Sequence, residues 1–348
     1  MPGSLKQKLG VMLFDWPRYE REIGSSWINI RNRHERLRAS DDGRGAACQW
    51  QWTSDLHAPK IFPSLGRRLM KRALDDWPIR FAKAPAAAVG EVQVSFIIGH
   101  RGLERIPHLL ATLATIAAQQ GANCECIVVE QSEHSQVAAR LPAWVRYVHT
   151  PLPVPDMPYC RAWTLNVGAR EARGKLLVFH DNDILAPAAY AAELWARFAA
   201  GYEIVNLKRF IFYLGPDQSA QVQSGHALSP GAVPESIMQN AEAGGSSAVA
   251  RDAFFAIGGY DESFVGWGGE DNEFWERALT RRVWPYTYMP LVHLWHAPQP
   301  GKAALDQSTA GQFRALSGSD PRERISRLVN RRFGNPHRMD PEWTASHA

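Results

Sequence analysis

Between residues 92 and 183, short apolar runs alternate with segments of helical periodicity. The apolar runs are VQVSFIIGH at 92–100, CECIVVEQS at 124–132, VRYVHT at 145–150 and KLLVFHDND at 175–183, and each predicts a buried strand. Helices are predicted by the spacing of Ile106, Leu109, Leu110, Leu113 and Ile116, and again at 164–171. Strands that alternate with helices predict an α/β fold with a mostly parallel central sheet.

Polar residues stand at the predicted carboxyl ends of these strands, where parallel α/β sheets bind their ligands. They are His100, Arg101, Glu130, Gln131 and the acidic run 181–183. We therefore expect them along one edge of the sheet. The run IIGHRG after the first strand contains neither the GxGxxG nor the GxxxxGK[ST] pattern. Neither a Rossmann dinucleotide fold nor a P-loop ATPase is favoured.

The first 90 residues carry a different pattern. Apolar side chains recur near helical spacing between Ser64 and Phe81, with basic residues between them, which predicts a basic amphipathic helix. Such a helix either packs on the main domain or lies on a membrane surface. The run APAAAVG at 84–90 is typical of a linker. These patterns divide the chain into an N-terminal extension at 1–90, a main domain at 91–300 and a C-terminal helical tail at 301–348.

Composition is typical of a globular protein. The chain has 348 residues, and its hydrophobic content of 45% is enough to fill a sizeable core. No run approaches the roughly 18 apolar residues of a transmembrane helix, and the N-terminal MPGSLKQKLG lacks the apolar stretch of a signal peptide. Cysteines at 48, 124, 126 and 160 have the spacing of neither a disulfide framework nor a CxxC site. We therefore expect a cytoplasmic protein.

The formal net charge of +4 is unevenly distributed. Residues 1–90 hold 16 Lys and Arg against 9 Asp and Glu, and residues 301–348 hold 8 against 5, whereas residues 91–300 hold 15 against 21. An acidic middle argues against a nucleic-acid groove there and suits a divalent cation. The basic flanks are either solvated surface or a peripheral contact with anionic lipid at the inner face of the membrane.

Two short motifs offer metal ligands. Asp181-Asn182-Asp183 ends an apolar strand, so one carboxylate can bind a hard cation while the other reaches a hydroxyl or a water. Taken alone, such a DxD is more often a turn. His293-Leu294-Trp295-His296 can place two imidazoles on one metal, although any single histidine is more often a satisfied surface or core residue. Carboxylate and imidazole together favour Mn²⁺ or a similar cation.

The stretch GGYDESFVGWGGEDNEFWERA at 258–278 has a poor composition for a core. Its glycines at 266, 268 and 269 allow a backbone to approach a ligand closely, and Glu270 and Asp271 stand at the start of a helical pattern. An anonymous acid pair at this place would simply interact with the helix dipole. The surrounding glycines and aromatic residues favour a chemical role.

Several of these segments occur in the order seen in GT-A glycosyltransferases of the family 2 group. The matching segments are PYCRAWTLNVGAREA at 158–172, LVFHDND at 177–183, AGGSSAVARDAFFAIGGYDESFVGWGGEDNEFWERA at 243–278 and HLWH at 293–296. They most resemble β-1,4-galactosyltransferases and related N-acetylgalactosaminyltransferases, including the chondroitin-polymerase type. The resemblance covers residues 92–300 or so and implies a GT-A (nucleotide-diphospho-sugar transferase) fold.

Matched position by position, the resemblance implies roles for individual residues. Asp271 corresponds to the catalytic base, Glu270 to an acceptor-binding acid, and Trp267 to the tryptophan of a mobile loop that touches donor and acceptor. The metal ligands for Mn²⁺ or Mg²⁺ are Asp183, His296 and His293, the last in place of a methionine of the galactosyltransferases. Nucleotide-sugar binding is assigned to Arg101, Glu130, Tyr159, Arg161, Asp181, Asn182, Gly245 and Trp267. Gly99-His100 replaces the usual Pro-Phe before Arg101.

The reaction implied is transfer of a sugar from a UDP-sugar to a hydroxyl of a saccharide or lipid-linked saccharide acceptor, with inversion at the anomeric carbon. Galactose or N-acetylgalactosamine is favoured, and glucose stays open, because Glu242 replaces an aromatic residue that helps choose the sugar. The expected process is synthesis of a surface polysaccharide or glycolipid. Two alternatives are a non-catalytic GT-A protein that binds carbohydrate or nucleotide sugar, and a sugar nucleotidyltransferase. The latter usually has a basic Gly-rich loop that IIGHRGLER lacks.

Overall fold

The computed structural model describes residues 4–48, 54–86, 90–239, 244–266, 268–297, 309 and 311–339. Trp267 and Glu242, which the sequence assigned to the donor site, lie outside these ranges, as do residues 87–89 of the predicted linker. Among the described residues, no helix combines the length and the apolar character needed to cross a bilayer.

The first part of the chain is mainly helical. Its helices are α1 (Leu5–Gly10), α2 (Trp16–Ser25), α3 (His57–Ile61) and α4 (Pro63–Asp76), and a π-helical segment, Val11–Asp15, joins α1 to α2. Its short strands are β1 (Leu37–Ala39), β2 (Ala46–Cys48) and β3 (Ser54–Asp55). The strands β1 and β2 form an antiparallel pair of their own.

Strands and helices alternate in the rest of the chain. They are β4 (Val94–His100), α5 (Ile106–Ala117), β5 (Cys124–Gln131), β6 (Arg146–Thr150), α6 (Arg161–Glu171), β7 (Leu176–His180), β8 (Ile184–Leu185), α7 (Tyr190–Ala199), β9 (Ile204–Val205), β10 (Lys208–Tyr213), α8 (Pro216–Gln223), β11 (Ser236–Gln239), β12 (Ser246–Ala250), α9 (Arg251–Ala256), α10 (Glu270–Ala278), β13 (Met289–His293) and α11 (Pro321–Leu328). Short 3₁₀ turns lie at Trp27–Asn29, Leu103–Arg105 and Ala138–Arg140.

Two larger sheets are formed by these strands. The central sheet has the order β6-β5-β4-β7-β12-β9, and the second has the order β3-β11-β10-β13-β8. In the central sheet β4, β5, β6 and β7 are parallel, whereas β12 runs antiparallel to β7 and β9. In the second sheet β10 and β13 are parallel. The predicted α/β class with a mostly parallel central sheet is confirmed.

Both faces of the central sheet are buried. Along β4, Phe96 and Ile98 pack into one hydrophobic core, and Ile97 packs into the other. Alternate side chains of a strand point to opposite faces, so a strand covered on both sides needs an unbroken apolar run. This explains why the sequence at 92–100 is apolar throughout rather than alternating.

The N-terminal extension belongs to the first of these cores. Leu65 and Leu69 of α4 are fully buried in the same cluster as Phe96, which confirms the packing role of the amphipathic helix. Its apolar face is therefore turned away from any membrane. The helix ends at Asp76 rather than Phe81, because Pro78 disfavours helical backbone at the residue before it. The domain boundary at 90 stays a prediction, and the core continues across it.

The C-terminal tail packs on the opposite side and touches α10. Phe333 and Met339 belong to the second core. Arg324 of α11 is buried, and its guanidinium lies 3.4 Å from Glu273 Oε1 and 2.5 Å from Glu276 Oε2, both on α10. Arg277 also donates to Glu273, from Nε to Oε1 at 2.7 Å. The helix that begins with Glu270 is thus held by a segment far downstream.

Candidate active site

A cavity of about 980 Å³ opens at the carboxyl ends of β4 and β7 in the central sheet and of β10 and β13 in the second. Its lining includes ten residues that the sequence assigned to the site: Arg101, Tyr159, Arg161, Asp181, Asn182, Asp183, Glu270, Asp271, His293 and His296. Residues from four strand ends and from the start of α10 therefore meet in one place, as expected for ligand binding in α/β folds.

Asp183, His293 and His296 form a group of potential metal ligands. Asp183 Oδ2 lies 3.4 Å from His296 Nε2, and Oδ1 lies 3.6 Å from His293 Nε2. One ligand atom of each residue lies within 4.8 Å of the others. Two ligands bound at about 2.1 Å and at a right angle stand about 3 Å apart, so a small inward movement would complete the site around a divalent cation.

The surroundings of the two imidazoles suit metal binding. His296 Nδ1 donates a hydrogen bond to the Ala297 carbonyl at 2.9 Å, which leaves the lone pair of Nε2 facing Asp183. His293 stacks on Tyr213 with ring centroids 4.4 Å apart, which fixes its plane. Burial lowers the pKa of His296, so the neutral form that can bind a metal predominates at neutral pH. The donor set of one carboxylate and two imidazoles fits Mn²⁺ or a similar cation.

Arg161 connects three carboxylates across the cavity. Its Nε and NH2 donate to Asp181 Oδ1 at 3.1 and 2.7 Å, and its NH1 donates to Asp271 Oδ1 at 2.6 Å. Glu270 Oε1 lies 3.5 Å from the same NH1. As the first residue of α6, Arg161 reaches both the strand end and the start of α10. It fixes one oxygen of Asp271 and leaves the other, Oδ2, beside the backbone of Gly244.

Burial and charge shift the acids of this cluster in different directions. Burial alone would raise the pKa of Asp181, but the charge and hydrogen bonds of Arg161 outweigh it and lower the pKa. Burial raises the pKa of Asp271 in spite of the opposing charge of Arg161. Burial, together with the negative charge of Asp271, raises the pKa of Glu270 to about 7. The pair at the start of α10 is therefore more basic than ordinary surface carboxylates.

The glycine run explains where α10 begins. Gly269 has a φ of 90°, a conformation that glycine adopts without strain, and it directly precedes the helix. A side chain there would also meet the Thr309 carbonyl at 3.0 Å. Glu270 and Asp271 follow in the first turn, where the helix dipole stabilises their anionic forms. The glycine turn thus directs both carboxylates toward the cavity.

The expected donor side of the cavity is held by hydrogen bonds between strand ends and loops. Tyr159 Oη bonds to Thr164 Oγ1 at 3.0 Å, and the Tyr159 carbonyl accepts from the Gly266 amide at 3.0 Å. Arg101 NH1 donates to the Met157 carbonyl at 2.6 Å. The bond between Tyr159 and Gly266 joins the loop before α6 to the glycine loop before α10, and the bond between Arg101 and Met157 joins it to the end of β4.

Asn182 and Gly245 have structural partners in the same region. Asn182 Nδ2 donates to His100 Nδ1 at 3.0 Å, and burial lowers the pKa of His100, in keeping with a neutral ring that accepts this bond. Asp181 and Gly245 exchange hydrogen bonds: the Asp181 amide donates to the Gly245 carbonyl at 2.9 Å, and the Gly245 amide donates to Asp181 Oδ2 at 3.1 Å. Gly245 therefore positions Asp181 rather than lining the cavity.

Glu130 is not brought to the cavity. Its buried carboxylate accepts from Ser132 Oγ at 2.9 Å and from the amides of Gln136 and Val137 at 3.1 and 3.2 Å. It closes the loop after β5, so its contacts are those of a structural residue. The sequence placed it at the site because it stands near a strand end, but neighbouring side chains of a strand point to opposite faces.

Several cavity residues were missed by the sequence reasoning. Arg105 lines the cavity, and its NH1 lies 3.2 Å from Asp183 Oδ2. His108 is not among the lining residues, but its ring lies 6.3 Å from that of His296. Tyr213 is the last residue of β10 in the second sheet, and Glu235 directly precedes β11 of the same sheet. Arg105 stands one residue before the predicted helical pattern that begins at Ile106, and His108 lies within that pattern, so their nearness to the end of the first strand was the available signal. The positions of Tyr213 and Glu235 depend on the second sheet, which the sequence did not predict.

Residues 236–285 match a family model described as the N-terminal domain of galactosyltransferase. The matched segment contains Gly245, Glu270 and Asp271, whereas Arg161, Asp181, Asp183 and the two histidines lie outside it. A search of curated proteins found no match. The α/β architecture, with its mostly parallel sheet flanked by helices, is consistent with the GT-A nucleotide-sugar transferase fold. The matched segment supports a galactosyltransferase-like glycosyltransferase.

Proposed function

We propose that the protein is an inverting, metal-dependent glycosyltransferase. It transfers a hexose, with galactose or N-acetylgalactosamine favoured, from a UDP-sugar to a hydroxyl of a saccharide acceptor. The observation that carries this proposal is the shared cavity: a carboxylate and two imidazoles line it together with Glu270 and Asp271 of the galactosyltransferase-like segment.

Asp271 is the proposed base. Arg161 holds its Oδ1 at 2.6 Å, so Oδ2 is the oxygen free to take the proton of the acceptor hydroxyl. Burial raises the pKa of Asp271, which makes it a stronger base than an exposed aspartate. Glu270, buried beside it, would accept a hydrogen bond from a second acceptor hydroxyl. The hydroxyl oxygen then attacks the anomeric carbon directly, and the bond to the diphosphate breaks on the opposite side.

The leaving group faces the other end of the cavity. Asp183, His293 and His296 would hold a divalent cation there, with open positions for oxygen ligands. When bound, the cation neutralises the charge that develops on the departing diphosphate. Asp181 and Arg101 line the cavity where the nucleoside is expected, and Tyr159 supplies an aromatic surface for its base.

A peripheral membrane contact would suit a lipid-linked acceptor in surface polysaccharide or glycolipid synthesis. The supporting surface is a group of exposed apolar side chains on α1 and the π-helical segment, here called the N-terminal apolar row: Leu5, Leu9, Met12, Leu13 and Phe14, each 50–74% exposed. Lys6 and Lys8 lie among them, and no acid occurs from residue 4 to residue 14. Exposed leucines beside lysines suit the surface of an anionic bilayer on the cytoplasmic side.

The two alternatives, a non-catalytic binding protein and a sugar nucleotidyltransferase, have different requirements. A non-catalytic protein would bind the nucleotide sugar without need of a base, whereas Asp271 is oriented by Arg161 within the cavity. A sugar nucleotidyltransferase usually carries a basic Gly-rich loop after its first strand, and the segment IIGHRGLER at 97–105 lacks its lysine and repeated glycines. These observations favour the transferase.

A screen of UDP-sugars for Mn²⁺-dependent release of UDP, with and without saccharide acceptors, tests the proposal. We expect release with UDP-galactose or UDP-N-acetylgalactosamine, its loss with EDTA, and a fall of about 100-fold or more in Asp271→Asn. The variant should still bind UDP. Release that is equally fast in Asp271→Asn would overturn the assigned base, and silence with every UDP-sugar and acceptor would overturn the transferase.

A further inference from the structure

Arg105 lies against Asp183, the carboxylate of the potential metal site. We propose that Arg105 binds the diphosphate of the sugar donor, and that it leaves Asp183 for the diphosphate when the cation and the donor enter. The inference rests on the proposed function, because it concerns the nucleoside diphosphate at the same cavity.

The position of Arg105 is the first observation. Its NH1 lies 3.2 Å from Asp183 Oδ2, the oxygen that also faces His296 Nε2 at 3.4 Å. The side chain of Arg105 is 13% exposed and lines the cavity. In the described part of the chain, Asp183 is the ion-pair partner of this guanidinium. Arg105 therefore lies within reach of any group bound to the metal.

A divalent cation and Arg105 would compete for the same carboxylate, that of Asp183. A cation bound to Asp183 would displace the guanidinium, which now lies 3.2 Å from the carboxylate, because the two positive charges would repel each other. Loss of the Asp183 contact leaves the guanidinium of Arg105 without its anion. A diphosphate held by the cation supplies new anionic oxygens, and the planar fork of arginine matches phosphate geometry.

The other cavity arginines are already engaged. Arg161 is bonded both to Asp181 on the nucleotide side and to Asp271, the proposed base. Arg101 donates to the Met157 carbonyl. Arg105 also directly precedes the 12-residue helix α5, so its side chain lies at the positive end of the helix dipole. Of the three arginines that line the cavity, Arg105 is the one next to the metal ligands.

The exchange predicts opposite effects on two binding steps. In full-length Arg105→Gln, Mn²⁺ alone should bind as well as in the wild type or up to about 10-fold more tightly, because a competing cation is gone. UDP in the presence of saturating Mn²⁺ should bind about 10-fold or more weakly, because charge-assisted hydrogen bonds to the phosphates are lost. Both affinities are measured by titration calorimetry, with free Mn²⁺ checked by electron paramagnetic resonance.

Two further variants separate binding from folding. Arg67→Gln removes an exposed arginine of α4 outside the cavity and should leave both affinities unchanged. Arg105→Lys keeps the charge and should restore part of the UDP affinity. If Arg105→Gln binds UDP with wild-type affinity, or loses Mn²⁺ and UDP binding in parallel, this inference is overturned while the proposed function stands. If the wild-type protein binds neither Mn²⁺ nor UDP, the proposed function fails and the inference fails with it.

Discussion

Arg161 NH1 lies 2.6 Å from Asp271 Oδ1, and the two residues are 110 positions apart in the chain. The same guanidinium holds Asp181 at the end of β7. One arginine therefore sets the position of the proposed base relative to the acid on the nucleotide side. The geometry of the cavity depends on this bridge as much as on the acids.

Arg161→Lys should shift the pH dependence of transfer. The charge and hydrogen bond of Arg161 lower the pKa of Asp271 against the effect of burial, and a lysine cannot hold both acids at once. The pKa of Asp271 should therefore rise, and the acid limb of kcat/KM should move to higher pH, because a base loses activity as it becomes protonated. A full pH profile checks this, with Arg67→Lys as the matched control. A shift to lower pH would contradict the assigned coupling.

Deprotonation of Glu270 should lower the stability of the folded protein as the pH rises. Its pKa is raised from 4.5 to about 7, so the folded state keeps a proton that the unfolded state has released between these values. The free energy of unfolding should fall through this window, by about 1–3 kcal/mol. Glu270→Gln removes the titration, so this variant should melt at higher temperature than the wild type at pH 8.

Thermal unfolding at pH 4.5 and pH 8 measures the effect. Glu133→Gln, which changes an acid whose side chain is 79% exposed, is the control and should follow the wild type at both values. A Glu270→Gln variant that is destabilised equally at both pH values would show that burial does not control this carboxyl. The same variant should raise the acceptor KM more than it lowers UDP affinity.

His293→Ala and His296→Ala should each weaken Mn²⁺ binding at least about 10-fold, because each removes one of three potential ligands. Titration calorimetry of the full-length protein measures this affinity. His226→Ala, which changes an exposed histidine remote in sequence from the site, should leave it unchanged. If His293→Ala binds Mn²⁺ as the wild type does, the carboxylate and His296 alone hold the ion.

The N-terminal apolar row should bind anionic vesicles. In Leu9→Ser combined with Leu13→Ser, co-sedimentation with vesicles rich in phosphatidylglycerol should weaken about 10-fold or more, since two exposed leucines lose their apolar contact with the bilayer. Leu279→Ser changes a leucine that is 54% exposed at another place and should have little effect. Equal binding of wild type and double variant would assign the contact elsewhere. A wild type that dimerises without binding vesicles would make the row a subunit interface.

The central sheet could be predicted because its strands are long apolar runs separated by clear helical patterns. Strand β4 and helix α5 lie within two residues of their predicted bounds. The second sheet escaped prediction because strands such as Ser54–Asp55 and Ile184–Leu185 are two residues long, too short for any periodicity to show. Their pairing is decided by tertiary contacts.

The sequence motifs of the candidate site could be predicted, but the contacts between side chains from distant segments could not. Asp183 and His296 were placed together by resemblance, and the structure brings them within 3.4 Å. Arg105 and Arg161 acquire their partners only when distant segments meet, so their contacts leave no local trace in the sequence. Glu130 was assigned to the site because it stands near the end of a strand, but its side chain is bonded to the loop after β5 and does not reach the cavity.

The contact between Arg324 and Glu273 limits how the galactosyltransferase-like segment can be handled as a unit. Residues 236–285 contribute a strand, β11, whose neighbours are β3 and β10, and a helix whose buried acid is bonded to an arginine of α11. Removal of Arg324 would strip one cation from a buried acid of the helix that carries the proposed base. Transplanting this segment into another scaffold would therefore require β3, β10 and α11 as well. A chimera that contained residues 236–285 alone would carry Glu270 and Asp271 without the elements that hold their helix in place.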